Sequence, residues 1–281
     1  MNNVQKLFIQ GKQILEAGGC ETGSFDAACL FTHFYGISRA DMPLCDADIG
    51  DPNLFLDACK KRAGGYPLQY ILGKWEFYGL EFTVTPDVLI PRADTETLID
   101  YVKERYGGRL SILDMCCGSG CIGLTLKKLF PEAEVTLCDI SEDALAVTKQ
   151  NADALGISVS IRKADLLRGG RAYFEDGSFD IIISNPPYIT ASDMQTLSKE
   201  VLCEPHIALF GGEDGMDFYS ALIRDWKSTL KKGGELILES GYDTSKPIRA
   251  LFTELGYCDI TAVKDLSGIV RVVAAKNGGE L

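Results

Sequence analysis

Histidine is nearly missing from these 281 residues: His33 and His206 are the only two. Chemistry built on an imidazole acid–base relay is therefore poorly supplied, and both histidines read as structural. Positive charge is short as well, with 28 Lys and Arg against 40 Asp and Glu, a net charge of −12. Nucleic-acid binding rests largely on neutralising phosphates, so no direct nucleic-acid partner is expected. The basic clusters Lys60-Lys61-Arg62, Lys127-Lys128 and Lys231-Lys232 are short and read as solvated helix faces or turns. A basic protein partner suits the acidity better. No apolar run approaches the roughly 18 residues that a membrane helix needs, so no membrane partner is expected. The start, Met1-Asn2-Asn3-Val4-Gln5-Lys6, lacks a basic segment followed by an apolar core, which points away from secretion and toward a cytoplasmic location. No Gly-Lys-Ser/Thr is present, which disfavours a P-loop. Cysteine is plentiful, at ten, yet Cys116, Cys117 and Cys121 cluster without a Cys-x-x-Cys pair or a histidine. Neither a disulfide framework nor a metal site is expected, and Cys29, Cys59 and Cys138 read as small hydrophobes.

The length suits two domains. Residues 1–73 read as a small helical domain. Val4, Leu7, Phe8 and Leu15 share one helix face that ends at Gly18-Gly19. Ser24 reads as the N-cap of a segment carrying Phe25, Ala28, Cys29, Phe31 and Phe34. Asp51-Pro52 caps a third helix, with Leu54, Leu56, Ala58 and Cys59, that stops at Gly64-Gly65. This unit is either a packing cap or a docking surface for a partner. Residues 74–92 read as a β-hairpin linker, since Trp75–Tyr78 and Leu80–Val84 flank Gly79.

Residues 93–281 alternate helix and strand. A helix is expected near Thr95–Arg105 and strands at Leu110–Asp114, Glu134–Asp139, Val159–Lys163, Asp180–Ser184 and Glu235–Glu239, with helices near 121–130, 141–155 and 216–231. That rhythm predicts an α/β fold, a parallel sheet with helices on both faces. Asp259–Lys264 and Ile269–Ala275, around Ser267-Gly268, read as a terminal hairpin that adds one antiparallel strand.

The chemistry-bearing residues sit at strand ends. Asp114 through Gly123 joins a strand to a helix through Cys116, Cys117, Gly118, Ser119 and Gly120, and glycine there lets backbone approach a ligand closely. Asp139 lies nineteen residues after Gly120 at the next strand end, where an acid accepts hydrogen bonds from ribose hydroxyls. Asp165, followed by Leu166, closes the third strand and reads either as a contact to an adenine amine or as a plain turn residue. Asn185-Pro186-Pro187-Tyr188 follows the apolar run Phe179–Ile183. Two prolines stop the ladder and stiffen the backbone, presenting an amide and an aromatic ring at fixed positions, which suits gripping a small planar group that carries an NH2. Together these features suggest methyl transfer to an amide or amino nitrogen.

These residues resemble the S-adenosylmethionine-dependent methyltransferase fold, a Rossmann-like sheet, and Asn185-Pro186-Pro187-Tyr188 resembles the motif of amino-methyltransferases. Pro67-Leu68-Gln69-Tyr70-Ile71-Leu72-Gly73, Leu89-Ile90-Pro91-Arg92-Ala93-Asp94-Thr95-Glu96, Glu204-Pro205 and Gly211-Gly212-Glu213-Asp214-Gly215 narrow the resemblance. Together they resemble the protein-(glutamine-N5) methyltransferases of peptide-chain release factors, the HemK/PrmC family, from about residue 60 to 275. Cys116 stands where many members have glycine, and Ala93 where many have proline; the cysteine fits if its φ is negative.

The resemblance implies S-adenosylmethionine as methyl donor, S-adenosylhomocysteine as product, and the glutamine of the Gly-Gly-Gln segment in class I release factors as acceptor. Cys116, Cys117, Gly118, Ser119, Gly120, Asp139, Asp165, Leu166 and Asn185 are expected to hold the donor. Asn185, Pro186, Pro187 and Tyr188 are expected to hold the substrate, with Asn185, Pro186 and Tyr188 acting in catalysis. The alternatives are a glutamine methyltransferase of a ribosomal protein, a nucleic-acid amino-methyltransferase, which the charge disfavours, and a non-catalytic binder of adenosine compounds.

Overall fold

A computed structural model describes residues 2–45 and 49–278; Met1 and residues 46–48 of the N-terminal reading and residues 279–281 of the second domain lie outside them. Two units are distinguished: Met1–Lys74 with Ser198–Cys203, and Trp75–Leu197 with Glu204–Leu281. Residues 198–203 thus group with the helical unit, although the sequence pattern runs them with the sheet.

The first unit holds α1 (Asn3–Ala17), α2 (Gly23–Tyr35), α3 (Pro52–Ala63) and α4 (Leu68–Leu72). Asn2 caps α1 in a capping box with Gln5, and Val4, Leu7, Phe8 and Leu15 are buried along it. Helix α2 begins one residue before the expected N-cap: Thr22 holds that position and Ser24 lies within the helix. Its buried face is Asp26, Ala27, Leu30 and Phe31, so Phe25 is turned outward. Aspartate in this stripe disguises it, because the residue that completes the face is charged. Its partner is Arg62, whose Nε lies 2.7 Å from Asp26 Oδ2 and which also pairs with Glu200. Arg62 is therefore no solvated helix residue; it is 6% exposed, and breaking such a buried pair leaves an uncompensated charge.

The second unit begins at Trp75, within β1 (Lys74–Phe77), and continues with β2 (Leu80–Thr83). Tyr78 and Gly79 both have positive φ, +51° and +72°, as a tight two-residue hairpin loop requires. After α5 (Glu96–Arg105) come β3 (Ser111–Met115), α6 (Cys121–Leu129), β4 (Glu134–Asp139), α7 (Glu142–Leu155), β5 (Ser160–Lys163) and β6 (Phe179–Ser184). They are followed by α8 (His206–Leu209), α9 (Asp217–Asp225), β7 (Leu230–Glu239), α10 (Ser245–Glu254), β8 (Tyr257–Lys264) and β9 (Val270–Asn277). The helix expected near 216–231 stops at Asp225, and β7 begins at Leu230 with a register shift opposite Phe179 and Ile181.

The seven strands run β5-β4-β3-β6-β7-β9-β8. Pairing is parallel from β5 to β7 and antiparallel on both sides of β9. Both sheet faces are covered. Ile181 and Ile183 enter one core with Ile112, Leu124, Leu137 and Ile237, while Ile182 enters the other with Leu113, Leu236, Leu238 and Trp226. A two-residue side-chain period serving two cores explains why these strands read as unbroken apolar runs.

Candidate active site

Strand order reverses at β3, which has β4 on one side and β6 on the other. Such a reversal leaves a crevice beyond the carboxyl ends of the strands. A cavity occupies it, lined by residues that follow β3, β4, β5 and β6.

The loop after β3 is tied down from three sides. Cys117 N donates to Cys138 O at 3.0 Å, Gly118 N donates to Asp139 Oδ2 at 2.9 Å, and Gly120 N donates to Cys117 O at 2.7 Å. From α7, Thr148 Oγ1 donates to Gly118 O at 2.7 Å and Asn151 Nδ2 to Ser119 O at 2.9 Å. Asn151 also accepts from Thr83 N at 2.7 Å, joining the hairpin to the loop. Gly118 has φ +54°, and a Cβ built there meets nothing within 4 Å. Gly120 is different: a Cβ there comes within 2.9 Å of Thr148 Cγ2, so its bareness serves packing. Cys116 has φ +62°, so the condition under which a cysteine fits this position without strain, a negative φ, is not met. The turn needs a left-handed residue at the end of β3, and here an L-residue with a side chain supplies it.

Asp139 accepts from Ser141 N at 3.0 Å as well as from Gly118. Burial raises its pKa, and these backbone donors oppose the rise. Asp114, beneath the loop, accepts from Gly123 N at 2.8 Å; burial lifts its carboxyl to about 8. Burial likewise pushes the thiols of Cys116 and Cys117 well above their usual range, which keeps them protonated. Asp165 Oδ1 accepts from Leu167 N at 3.0 Å and so caps its own turn while it faces the cavity.

After β6, Asn185 Nδ2 donates to Thr95 Oγ1 at 3.4 Å. The amide's other end, Oδ1, has no protein donor among the described residues. A Cβ at Gly211 falls 2.5 Å from Tyr188 Cα, and one at Gly215 falls 2.4 Å from Tyr188 O. The glycine-rich segment after α8 thus wraps the backbone of the Asn-Pro-Pro-Tyr turn, and Ile189 and Phe210 bridge in parallel beside it. Glu204, 5% exposed, accepts from Ile90 N at 3.1 Å and pairs with Arg92, fastening the segment before α5. Two motifs more than a hundred residues apart are therefore one structural joint.

Of the residues singled out from sequence, Cys116, Cys117, Gly118, Ser119, Asp139, Asp165, Leu166, Asn185 and Pro187 line the cavity. Gly120, Pro186 and Tyr188 are not among its lining residues. The Tyr188 ring packs toward Gly241, where a Cβ would sit 2.9 Å from Cδ2, and burial raises its hydroxyl to about 12. Thr95, Thr148, Asn151 and Glu239 were not assigned roles from sequence. Only Glu239, a charge closing the apolar run Leu236-Ile237-Leu238, carried a visible signal.

The family model described as Methyltransferase small domain matches residues 93–213, and that described as PrmC N-terminal domain matches residues 6–73. A release factor glutamine methyltransferase from Koribacter versatilis is 42% identical over 224 residues, 78% of each chain. A methyltransferase from Pyrococcus furiosus shares the fold, with a TM-score of 0.55 at 21% identity over 72% of this chain and 91% of that one. A release factor glutamine methyltransferase from Geobacter sulfurreducens is 35% identical over 286 residues, covering 98% of this chain and 97% of its own. At that identity over nearly the whole length, the chain belongs to the release factor glutamine methyltransferase family.

Proposed function

We propose that this enzyme transfers a methyl group from S-adenosylmethionine to the side-chain nitrogen, N5, of the glutamine in the Gly-Gly-Gln segment of class I release factors, releasing S-adenosylhomocysteine and the displaced amide proton, which passes to solvent, and using no metal. The observation that carries the reading is the orientation of Asn185. Its NH2 is engaged by Thr95, so its carbonyl oxygen is left to accept from a ligand in the cavity. A planar carboxamide, with two N–H donors, is the complement of such an acceptor.

The cavity suits the methyl donor. Asp139 offers carboxylate oxygens for ribose hydroxyls, and Ile140 and Leu166 offer an apolar wall for a flat base. Open space at Gly118 lets an adenosine approach the backbone. When bound, the donor supplies an electrophilic methyl group on a sulfonium.

The protein's task is orientation. An amide nitrogen is a poor nucleophile because its lone pair is delocalised into the carbonyl. Asn185 Oδ1 and the Pro186 carbonyl each accept one N–H of the acceptor, which fixes its plane and keeps electron density on the nitrogen. Alignment of two bound reactants lowers a barrier by roughly 7–11 kcal/mol, enough to be the main source of rate. In this reading residues 1–73 dock the release factor, 74–92 link, and 93–281 carry the chemistry. The acidic net charge and the family membership support a protein acceptor over nucleic acid.

The test is a labelled methyl-transfer assay offering release factors, ribosomal proteins, DNA and RNA side by side, with label expected on release factor alone. Asn185→Ala should lower turnover about 100- to 1,000-fold while donor binding survives, as loss of a preorganised polar contact does. Full turnover in that variant refutes the assignment.

A further inference from the structure

A side chain outside the cavity joins two of its walls. Asn151, on α7, is 1% exposed and is not among the lining residues. Its Oδ1 accepts from Thr83 N at 2.7 Å, and its Nδ2 donates to Thr83 O at 3.1 Å and to Ser119 O at 2.9 Å. The amide thus meets Thr83 as a neighbouring strand would, with one donor and one acceptor against the backbone of a single residue. Its second N–H holds the loop after β3. Both amide hydrogens are used, and turning the group over would set N–H against N–H and oxygen against carbonyl oxygen. An aspartate in its place would accept from Thr83 N yet press its second oxygen on those carbonyls.

What Asn151 holds at Thr83 is the near end of a strut. Among the described residues, β1 and β2 form a two-stranded sheet apart from the seven-stranded one, so no ladder ties β2 to the strands that carry the donor loop. From Thr83 the chain runs on to Asp87, Val88, Leu89, Pro91 and Arg92, which line the cavity. Its far end is fastened on the side of the Asn-Pro-Pro-Tyr turn. Ile90 N donates to Glu204 Oε2 at 3.1 Å, and Thr95 Oγ1 accepts from Asn185 Nδ2 at 3.4 Å. Residues 83–95 therefore stretch from the loop that faces the donor to the amide that faces the acceptor. The donor loop has other holds, from Thr148 on Gly118 O and from Asp139 on Gly118 N. Asn151 differs from them in bonding the strut as well.

We propose that Asn151 is a positioning residue for methyl transfer, whose amide sets the spacing between the donor loop and the segment that leads to Asn185. This rests on the donor and carboxamide reading of the cavity given above. In-line transfer tolerates little error in that spacing, and a displacement of about 1 Å far from the chemistry costs on the order of 100-fold in rate. Loss of Asn151 therefore falls on kcat, because the remaining ties keep the donor loop in shape. Loss of the Thr148 hydroxyl, which bonds Gly118 O and lies 3.5 Å from Cys117 Sγ, falls on donor affinity.

The experiment uses the full chain with a release factor and S-adenosylmethionine, comparing wild type with Asn151→Ala, Asn151→Asp and Thr148→Val. At saturating donor, Asn151→Ala should lower kcat about 10- to 100-fold. Asn151→Asp should match or exceed that loss, since it keeps the side-chain size and gives up both donated bonds. Thr148→Val should instead raise the Kd for S-adenosylmethionine about fivefold or more, by leaving Gly118 O unpaired in the donor loop, and should raise it more than Asn151→Ala does. In parallel, hydrogen exchange at Thr83 N–H should slow at least about threefold in wild type when S-adenosylhomocysteine binds, although Thr83 does not line the cavity. That slowing should vanish in Asn151→Ala. The wild-type exchange readout needs neither an acceptor nor a variant that folds, so it separates failure of the strut from failure of the substrate assignment. Wild-type kcat in Asn151→Ala, a loss confined to donor Kd as in Thr148→Val, or Thr83 exchange indifferent to S-adenosylhomocysteine in wild type overturns the proposal.

Discussion

Cys116 is the residue at which this chain carries conformational strain next to its own cavity. With φ at +62° it occupies the left-handed region with a side chain present. That conformation costs an L-residue roughly 1–2 kcal/mol. Replacing it by glycine relieves the strain but also deletes the thiol, which packs against the second core. Alanine is therefore the proper reference, because it lacks the sulfur and keeps the strain. Between Cys116→Ala and Cys116→Gly the packing loss nearly cancels. Glycine's greater freedom in the unfolded chain returns about 0.5–1 kcal/mol of the gain. The glycine variant should thus be the more stable of the two by about 0.5–1 kcal/mol. At the usual scaling for chains of this size, that is a midpoint higher by about 1–4 °C. Urea unfolding followed through the buried Trp226 measures the difference within the unit that holds the loop. An alanine variant as stable as the glycine variant, or more so, means that the left-handed turn is not strained and refutes the inference from φ.

Three further perturbations test other parts of the site. Asp139→Ala removes the acceptor for Gly118 N as well as the proposed ribose contact, and should weaken donor binding by about 1.5–3 kcal/mol in calorimetric titration; an unaltered Kd means that the ribose is held elsewhere. Gly211→Ala places a Cβ 2.5 Å from Tyr188 Cα and 2.8 Å from Pro187 O, both backbone, so the catalytic turn must move. It should cost about 1–3 kcal/mol of stability and lower turnover at least tenfold, about what 1.4 kcal/mol off the transition state amounts to, whereas Gly107→Ala, open on all sides, should be silent; equal behaviour of the two means that the glycine segment does not brace the turn. Asp114 has its folded pKa raised from 3.8 to about 8, so the unfolded chain ionises first and stability falls as pH rises between those values. Asp114→Asn should flatten that fall, whose slope is on the order of 1.4 kcal/mol for each step of one pH, in denaturation midpoints taken from pH 5 to 9; a slope identical to wild type refutes the buried-acid assignment.

What the sequence disclosed was what short-range chemistry dictates. Asp139 at a strand end, glycines between a strand and a helix, and two prolines after Ile181-Ile182-Ile183 are local signals, and the seven-stranded sheet with its antiparallel hairpin followed from them. The missed features are pairings across long separations. Asn185 with Thr95 spans 90 residues, Ile90 with Glu204 spans 114, and Arg62 with Asp26 spans 36. No periodicity announces such partners. Arg62 looked solvated because its neighbours Lys60 and Lys61 are, and only the buried Asp26 on another helix says otherwise. The sign of φ at Cys116 was equally hidden, since residue type argues for the opposite region and only the turn's closure overrides it.

The place of β9 has a consequence for how the enzyme comes into being. It follows β8 in the chain yet lies between β7 and β8 in the sheet. A nascent chain that has emerged only through Lys264 therefore exposes an unpaired β7 edge, with Leu236 and Leu238 at hand for any passing strand. It also lacks Arg271, one of the two arginines, with Arg92, that favour the charged form of Glu239. Synthesis must run past the last ladder pair before the molecule is either safe from aggregation or electrically complete at its centre.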